Sequence, residues 1–195
     1  MKPVLVLYAT RQGHTRHVAE YVAKAVQARG VPADVVDSAH IPSGFALGAH
    51  SAAILVASVH LGRHEPEMTR FVKLHLAELE SIPAAFLSVS LSEAGAEDVS
   101  APSERREQAA SDVKRMIDTF LSETGWHPAR IKAVAGALLY TKYNFLLRLV
   151  MKRIARQAGG AIDTSNDREY TDWTALDQFV DELVRTKVAQ TCAEV

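Results

Sequence analysis

The sequence predicts an α/β fold in which helices cover both faces of a parallel β-sheet. Short apolar runs typical of buried strands alternate along the chain with stretches whose apolar residues recur at helical spacing. The clearest example is the strand, loop and helix pattern of "VLVLYATRQGHTRHVAEYVAKAV" (4–26). The chain has 195 residues, of which 48% are hydrophobic, enough for one sizeable core. We therefore expect residues 1–195 to form a single domain around a doubly wound sheet.

The strands are predicted from the apolar runs. "PVLVLYA" (3–9) contains no charged residue, as expected of a central parallel strand that is buried on both faces. Comparable runs predict four further strands, at residues 33–37, 52–58, 84–90 and 131–138.

The helices are predicted from apolar residues three and four positions apart. In the first helix Val18, Val22 and Val26 share one face, and Gly30 with Pro32 ends it. The same spacing predicts helices near residues 66–80, 103–122 and 172–188. Thr171 or Asp172 is expected to cap the last of these, and Trp173 to anchor it in the core. The small, polar and acidic stretch "SEAGAEDVSAPSE" (92–104) is predicted to be a loop.

Composition excludes several classes of protein. The formal net charge of -1 argues against a generally nucleic-acid-binding surface. With a single cysteine, Cys192, the chain can form neither an internal disulfide nor a cysteine-based zinc or iron–sulfur site. The N-terminus does not resemble a secretory signal, and no apolar run is long enough to span a bilayer. We expect a protein of the reducing cytoplasm whose contact with a membrane, if it has any, is peripheral.

The loop "TRQGHTR" (10–16) lies at the carboxyl end of the first strand, where ligands of such sheets bind. Backbone N–H groups of a tight loop and of the helix that follows form an anion site, which would suit a phosphate. The alternative is an ordinary turn in which Thr15 caps the helix. The loop is neither a Walker loop nor a dinucleotide fingerprint. The candidate phosphate-binding residues are Thr10, Arg11, Gln12, Gly13, His14 and Thr15.

The T-x-x-G-x-T spacing of this loop, at the end of the first strand, resembles the flavodoxin family. In that family the corresponding loop wraps the phosphate of FMN, so the resemblance implies FMN as cofactor. It also implies a flavodoxin-like sheet of five parallel strands in the order 2-1-3-4-5. Two positions depart from the usual family loop, since Gln12 replaces a threonine and His14 an asparagine. The amide of Gln12 can still donate a hydrogen bond in place of the hydroxyl.

Segments further along resemble one branch of this family, the menaquinone-dependent protoporphyrinogen IX dehydrogenases of bacterial haem synthesis. They include "ASVHLGRH", "FLSVSL", "AGALLYTKYNFLLRLVMKRIARQAGGAIDT" and "YTDW". The resemblance spans residues 3 to 185 and implies FMN-dependent oxidation of protoporphyrinogen IX to protoporphyrin IX, with electrons passed to a membrane quinone. Two alternatives stay open: an electron-transfer flavodoxin without a substrate of its own, and an FMN-dependent quinone reductase, for which no nicotinamide site is recognisable.

The resemblance also implies that the loops at residues 58–64 and 88–95 flank the isoalloxazine ring. Neither loop carries an aromatic residue, so their contacts with the ring are expected mainly from backbone groups; Tyr140 or Tyr143 is the alternative stacking residue. His60 and His64 are four residues apart, but the glycine between them indicates a loop, and no metal site is expected. The candidate ring-binding residues are Ser58, Val59, His60, Leu61, Gly62, Ser88, Val89, Ser90 and Leu91.

A basic segment follows the fifth strand and is concealed by the overall charge. Between Glu123 and Asp163 there are seven basic residues and no acidic one. As a helix, residues 145–156 would place apolar residues on one side and basic residues on the other. The residues expected to engage substrate or membrane are Lys142, Arg148, Lys152, Arg153 and Arg156.

Two interpretations of this segment are open. By itself, the pattern favours a helix that packs on the sheet and leaves a solvated basic face. Within the resemblance, the segment is an insert at about 140–162 where a carboxylated porphyrin, an anionic membrane surface or a quinone docks. The protein would then be cytoplasmic and peripheral on the inner membrane. The sequence marks no catalytic acid or base, and it leaves the oligomeric state open, with a homodimer among the alternatives.

Overall fold

Five parallel strands form the central sheet. The structure, a computed structural model, describes residues 1–138 and 168–193. The parallel strands are β1 (Val4–Ala9), β2 (Ala33–Asp37), β3 (Ala52–His60), β5 (Ala84–Ser90) and β6 (Arg130–Ala135). They lie in the order β2-β1-β3-β5-β6, so the chain order reverses between β1 and β3. β1 is buried along its whole length, because strands pair with both of its edges and helices cover both of its faces.

A sixth strand, β4 (Arg63–His64), pairs antiparallel with the end of β3. The expected count of five strands in the order 2-1-3-4-5 is therefore wrong in detail, because it omits this short strand. Leu61 and Gly62 have φ values of 49° and 78°, and positive φ at both central residues is typical of two-residue hairpin turns. The predicted loop at residues 58–64 is thus the end of a strand and a tight hairpin.

The helices cover both faces of the sheet, as predicted. One core lies under α1 (His14–Ala28) and α6 (Trp173–Ala193), where Trp173 packs at its margin. The other lies under α2 (Pro66–Leu74), α3 (Leu76–Glu80) and α5 (Ser103–Thr124). A 3₁₀ turn at Leu47–Ala49 adds the buried Leu47 to this second core. Asp172 caps α6, since its Oδ1 accepts a hydrogen bond from the N–H of Ala175 at 2.9 Å.

Three predicted boundaries are wrong. The loop expected at 92–104 contains the helix α4 (Leu91–Glu97), which Ser90 caps by accepting a hydrogen bond from the N–H of Glu93. The helix expected at 66–80 is interrupted at His75, and α3 starts there anew. The strand expected at 131–138 stops before Gly136, whose N–H donates to the carbonyl of Ser90. At Ser90 a capping bond, and at Gly136 a bond to the neighbouring strand's end, overrides the local pattern.

After Gly136 the chain forms a small separate sheet, in which β7 (Ala137–Leu138) pairs antiparallel with β8 (Arg168–Glu169). The N–H of Tyr170 donates to the carbonyl of Gly136, which ties the start of the last helical region to the end of β6. The predicted insert at about 140–162 lies outside the described residues, and so do Tyr140, Tyr143 and the five basic residues from Lys142 to Arg156.

Candidate functional site

The predicted ligand-binding residues meet at the carboxyl edge of the central sheet. β1, β3 and β5 are neighbours and parallel, with Ala9 paired to Ala57 and Ser58 to Val89. The stretches at 10–15, 58–62 and 88–91 therefore border one crevice, as expected of sequences that follow adjacent parallel strands.

The first loop forms a tight turn directly before α1, at the position predicted to bind a phosphate. The side-chain oxygen of Thr10 accepts a hydrogen bond from the N–H of Gly13 at 3.0 Å, which closes a tight turn. This bond uses an acceptor position of the hydroxyl, so its hydrogen can still be donated. Gly13 has a φ of 90° and is the N-cap of α1, so the alternative with Thr15 as N-cap is wrong. The first turn of α1 holds no acidic residue, and the N–H groups of a first turn have no acceptor within their own helix.

Arg11 forms an ion pair with the carboxylate of Glu65. Its guanidinium donates to Glu65 Oε2 at 2.9 and 3.2 Å, and this partner raises the pKa of Arg11. The side chain of Glu65 is 3% exposed, and Ser58 Oγ donates to its Oε1 at 3.1 Å. The buried carboxylate of Glu65, at the start of α2, thus joins Arg11 of the first loop to Ser58 of β3. The sequence analysis missed Glu65, because its partner lies 54 residues away.

His14 links the same loop to the last helix. Its Nε2 lies 2.9 Å from Thr171 Oγ1, and that hydroxyl donates its only hydrogen to the carbonyl of Ala135 at 2.8 Å. Nε2 must therefore be the donor in the bond to Thr171. Thr171 was predicted only as a helix cap. Its buried hydroxyl instead connects the first loop to the end of β6.

In the hairpin at residues 58–64 the tip is exposed to solvent, whereas His64 is buried. Leu61 at the tip is 91% exposed. His64 is buried, and its Nε2 lies 2.9 Å from Ser88 Oγ, while its Nδ1 has no partner within the described chain. Burial lowers the pKa of His64 to about 4, so the ring is neutral at pH 7. No group of three metal-ligating side chains occurs in residues 1–138 and 168–193.

The third stretch presents backbone to the crevice more than side chains. Ser88, Val89 and Ser90 are buried, and both serine hydroxyls already take part in hydrogen bonds, Ser88 with His64 and Ser90 with the N–H of Glu93. A ligand at this edge would therefore contact mainly the backbone here, which is what the sequence predicts. On α4, burial raises the pKa values of Glu93 and Glu97, and Lys132 opposes this change in both.

None of the helices in the described ranges combines the length and the apolar character needed to cross a bilayer.

Comparison with known proteins adds three findings. The family model "Flavodoxin domain" matches residues 5–165. The chain is 32% identical over 179 residues to a protein of Escherichia coli strain K12 named "Protoporphyrinogen IX dehydrogenase [quinone]", covering 92% of this chain and 93% of that protein. A Leishmania major protein of the same name is 29% identical and matches 95% of this chain and 76% of its own length.

Solved structures support the fold. A short-chain flavodoxin associated with a PDU bacterial microcompartment superimposes with a TM-score of 0.54 at 14% identity, covering 96% of this chain and 99% of that one. At this identity the similarity concerns the arrangement of strands and helices only. The family match spans most of the chain and includes all three stretches that border the crevice. The chain therefore belongs to the flavodoxin-domain family.

Proposed function

We propose that this protein binds FMN in the crevice and oxidises protoporphyrinogen IX to protoporphyrin IX, with a membrane quinone as electron acceptor. The proposal of FMN as cofactor is supported by the loop that Thr10 and Gly13 close at the start of α1. This loop combines backbone N–H groups suited to an anion with a helix N-terminus. The reaction is taken from the names of relatives that match nearly the whole chain.

The residues of the crevice fit FMN in two respects. The first loop offers the Thr10 hydroxyl and backbone N–H groups to a phosphate, and it places no carboxylate in the first turn of α1. The hairpin and the end of β5 offer backbone groups on either side of a flat ring. Bound FMN would supply the redox chemistry by accepting electrons pairwise with hydrogen. The protein would supply binding, orientation and a controlled environment.

His64 would act on this site through Ser88. Because burial keeps the imidazole neutral, the bond between His64 and Ser88 adds no charge at the end of β5, where the flavin would bind. The bond also holds the hairpin against the end of β5. The bonds from Glu65 to Arg11 and Ser58 hold the other side of the hairpin against the first loop. His64 and Glu65 thus position the walls of the crevice, and neither of these two residues is assigned a part in proton transfer.

The test is an anaerobic reaction. Protein purified with FMN is mixed with protoporphyrinogen IX, and porphyrin fluorescence and flavin absorbance are followed with and without a water-soluble quinone. The expected result is bleaching of the flavin with porphyrin formation, and continued turnover when quinone is present. A flavin that stays oxidised would contradict the proposal and favour an electron carrier. Reduction by NADH but not by porphyrinogen would favour a quinone reductase.

A further inference from the structure

A cavity of about 570 Å³ lies between α2, α5 and the hairpin. α2 contributes Pro66, Thr69, Arg70 and Lys73, and α5 contributes Met116, Thr119, Phe120 and Glu123. Each set repeats at three- and four-residue intervals, so each lies on one face of its helix. The hairpin closes one end. The volume is within the range of sites for organic ligands.

The cavity wall combines apolar surface with positive charge. Leu61, Met116 and Phe120 line it, and of these three Leu61, which is 91% exposed, supplies most of the accessible apolar surface. Two of its cations are already paired, Arg11 with Glu65 and Lys73 with Glu123. Arg63 and Arg70 are exposed and form no ion pair with any residue of the described ranges. Both guanidinium groups are therefore available to an anionic ligand.

The cavity adjoins the proposed FMN crevice across the hairpin. Arg11, His60 and Leu61 lie in its wall and are also predicted to border the flavin. His64, in the same wall, is bonded to Ser88 at the end of β5. The cavity and the proposed crevice thus share wall residues from the first loop and the hairpin, so a ligand in the cavity would lie beside the cofactor.

We propose that this cavity binds the substrate as an apolar ring compound bearing carboxylates, with Arg63 and Arg70 as its carboxylate partners. This inference rests on the proposed function, in which the porphyrinogen is such a compound. A planar guanidinium binds a carboxylate through two parallel hydrogen bonds, and Leu61, Met116 and Phe120 provide contact surface for the ring. A quinone ring is uncharged and would leave both arginines without a partner.

The experiment measures binding of protoporphyrin IX to the full-length, FMN-loaded protein by titration of porphyrin fluorescence. The test variant is Arg63→Gln with Arg70→Gln. The matched control is Lys2→Gln with Lys24→Gln, two exposed lysines away from the cavity whose replacement changes net charge equally. We expect the test variant to bind porphyrin about fivefold to tenfold more weakly, with the control unchanged. Flavin absorbance verifies that both variants retain FMN.

A second probe isolates the carboxylates. Protoporphyrin IX dimethyl ester, which carries no charge, should bind wild type and the test variant equally. In turnover, the test variant should raise KM for protoporphyrinogen and leave kcat unchanged, since it removes binding that is not specific to the transition state.

Several outcomes would overturn the assignment of the cavity: no porphyrin binding to wild type, equal binding to wild type and test variant, or the same loss in the lysine control. If the test variant lost menadione binding but kept porphyrin binding, the cavity would be assigned to the quinone. This result would also overturn its assignment to the porphyrin. The two proposals fail separately. Oxidation of porphyrinogen with an unchanged KM in the test variant leaves the function standing without this site. Arginine-dependent porphyrin binding without oxidation leaves the site standing without this function.

Discussion

Gly13 decides whether the first loop can form. Its φ of 90° lies in the left-handed region, which β-branched residues avoid at a cost of roughly 1–2 kcal/mol. We predict that Gly13→Val weakens FMN binding about tenfold or more, because the N–H groups that face the phosphate move with this residue. The measurement is the FMN dissociation constant from flavin fluorescence.

A control for this variant lies at the other end of the same helix. Gly30 also has a positive φ, 78°, and no atom lies within 4 Å of a Cβ added there. Gly30→Val should lower the free energy of unfolding to a similar extent while FMN affinity stays at the wild-type value. Equal FMN affinities in the Gly13 and Gly30 variants would contradict a phosphate site in the loop.

His64 makes stability depend on pH. Its pKa falls from an ordinary 6.5 to about 4 on folding, so the unfolded chain binds the proton more readily than the folded one. Above pH 6.5 the neutral ring makes its full contribution to the free energy of unfolding. This contribution is lost as the pH falls from 6.5 to about 4. The loss is roughly 3 kcal/mol, since each unit of pKa shift corresponds to about 1.36 kcal/mol. We predict that His64→Gln removes this part of the pH dependence.

Urea denaturation at pH 7 and pH 4.5 measures the effect. Other groups also titrate in this range, so the informative quantity is the difference between wild type and variant at each pH. His64→Gln should be less stable than wild type at pH 7, where the neutral ring packs against Phe86 and Phe120, and this deficit should shrink at pH 4.5. A deficit independent of pH would show that His64 is not held neutral.

At the scale of elements, the hairpin is fixed by contacts from other parts of the chain. β4 has only two residues, too few to hold its position by pairing with β3 alone. The Glu65 carboxylate joins it to the first loop through Arg11 and to β3 through Ser58. The hairpin is therefore placed by buried polar bonds, and its geometry is coupled to that of the phosphate loop.

We predict that Glu65→Gln lowers the free energy of unfolding by about 1–3 kcal/mol, because it replaces a charged hydrogen-bond acceptor at a buried site. FMN affinity should fall as well, since both walls of the crevice lose their connection. Chemical denaturation and flavin fluorescence measure the two effects. Glu20→Gln is the control, because its ion pair with Arg16 is solvent-exposed and contributes little to stability. Indistinguishable variants would mean that Glu65 does not organise the hairpin.

For the whole molecule, the distribution of charge is more informative than its sum. A net charge of -1 coexists with the segment from Glu123 to Asp163, which holds seven basic residues and no acidic one. Engagement of the membrane or substrate by Lys142, Arg148, Lys152, Arg153 and Arg156 stays a prediction, since these residues lie outside the described part of the chain.

We predict that changing Arg148, Lys152 and Arg156 together to glutamine leaves FMN binding intact and weakens sedimentation with anionic liposomes. At about 1 kcal/mol per basic residue near an anionic surface, the loss is roughly 3 kcal/mol at low salt. The control replaces Lys2, Lys24 and Lys114 by glutamine, with the same change in net charge. Liposome binding that is equal in wild type and the first variant would identify the segment as a solvated face.

The sequence by itself determined the strands, helices and tight turns that depend only on residues close together in the chain. The apolar runs of β1 and β5 and the helical spacing of α1 follow from which residues are adjacent or one turn apart. The loop from Thr10 to Gly13 was predictable for the same reason, because its turn needs one glycine and one nearby hydroxyl. Which edge of the sheet is predicted to bind a ligand then followed from the alternation of strands and helices.

Only the tertiary structure decided which distant residues meet. The burial of His64 against Phe86 and Phe120, the bond between Arg11 and Glu65, and the cavity between α2 and α5 all join segments that are far apart in sequence. A side chain's charge state and partners depend on what surrounds it after folding, and local periodicity carries no such information. That Arg63 and Arg70 form no ion pair within residues 1–138 and 168–193 could be recognised only once the other charges there had been assigned their partners.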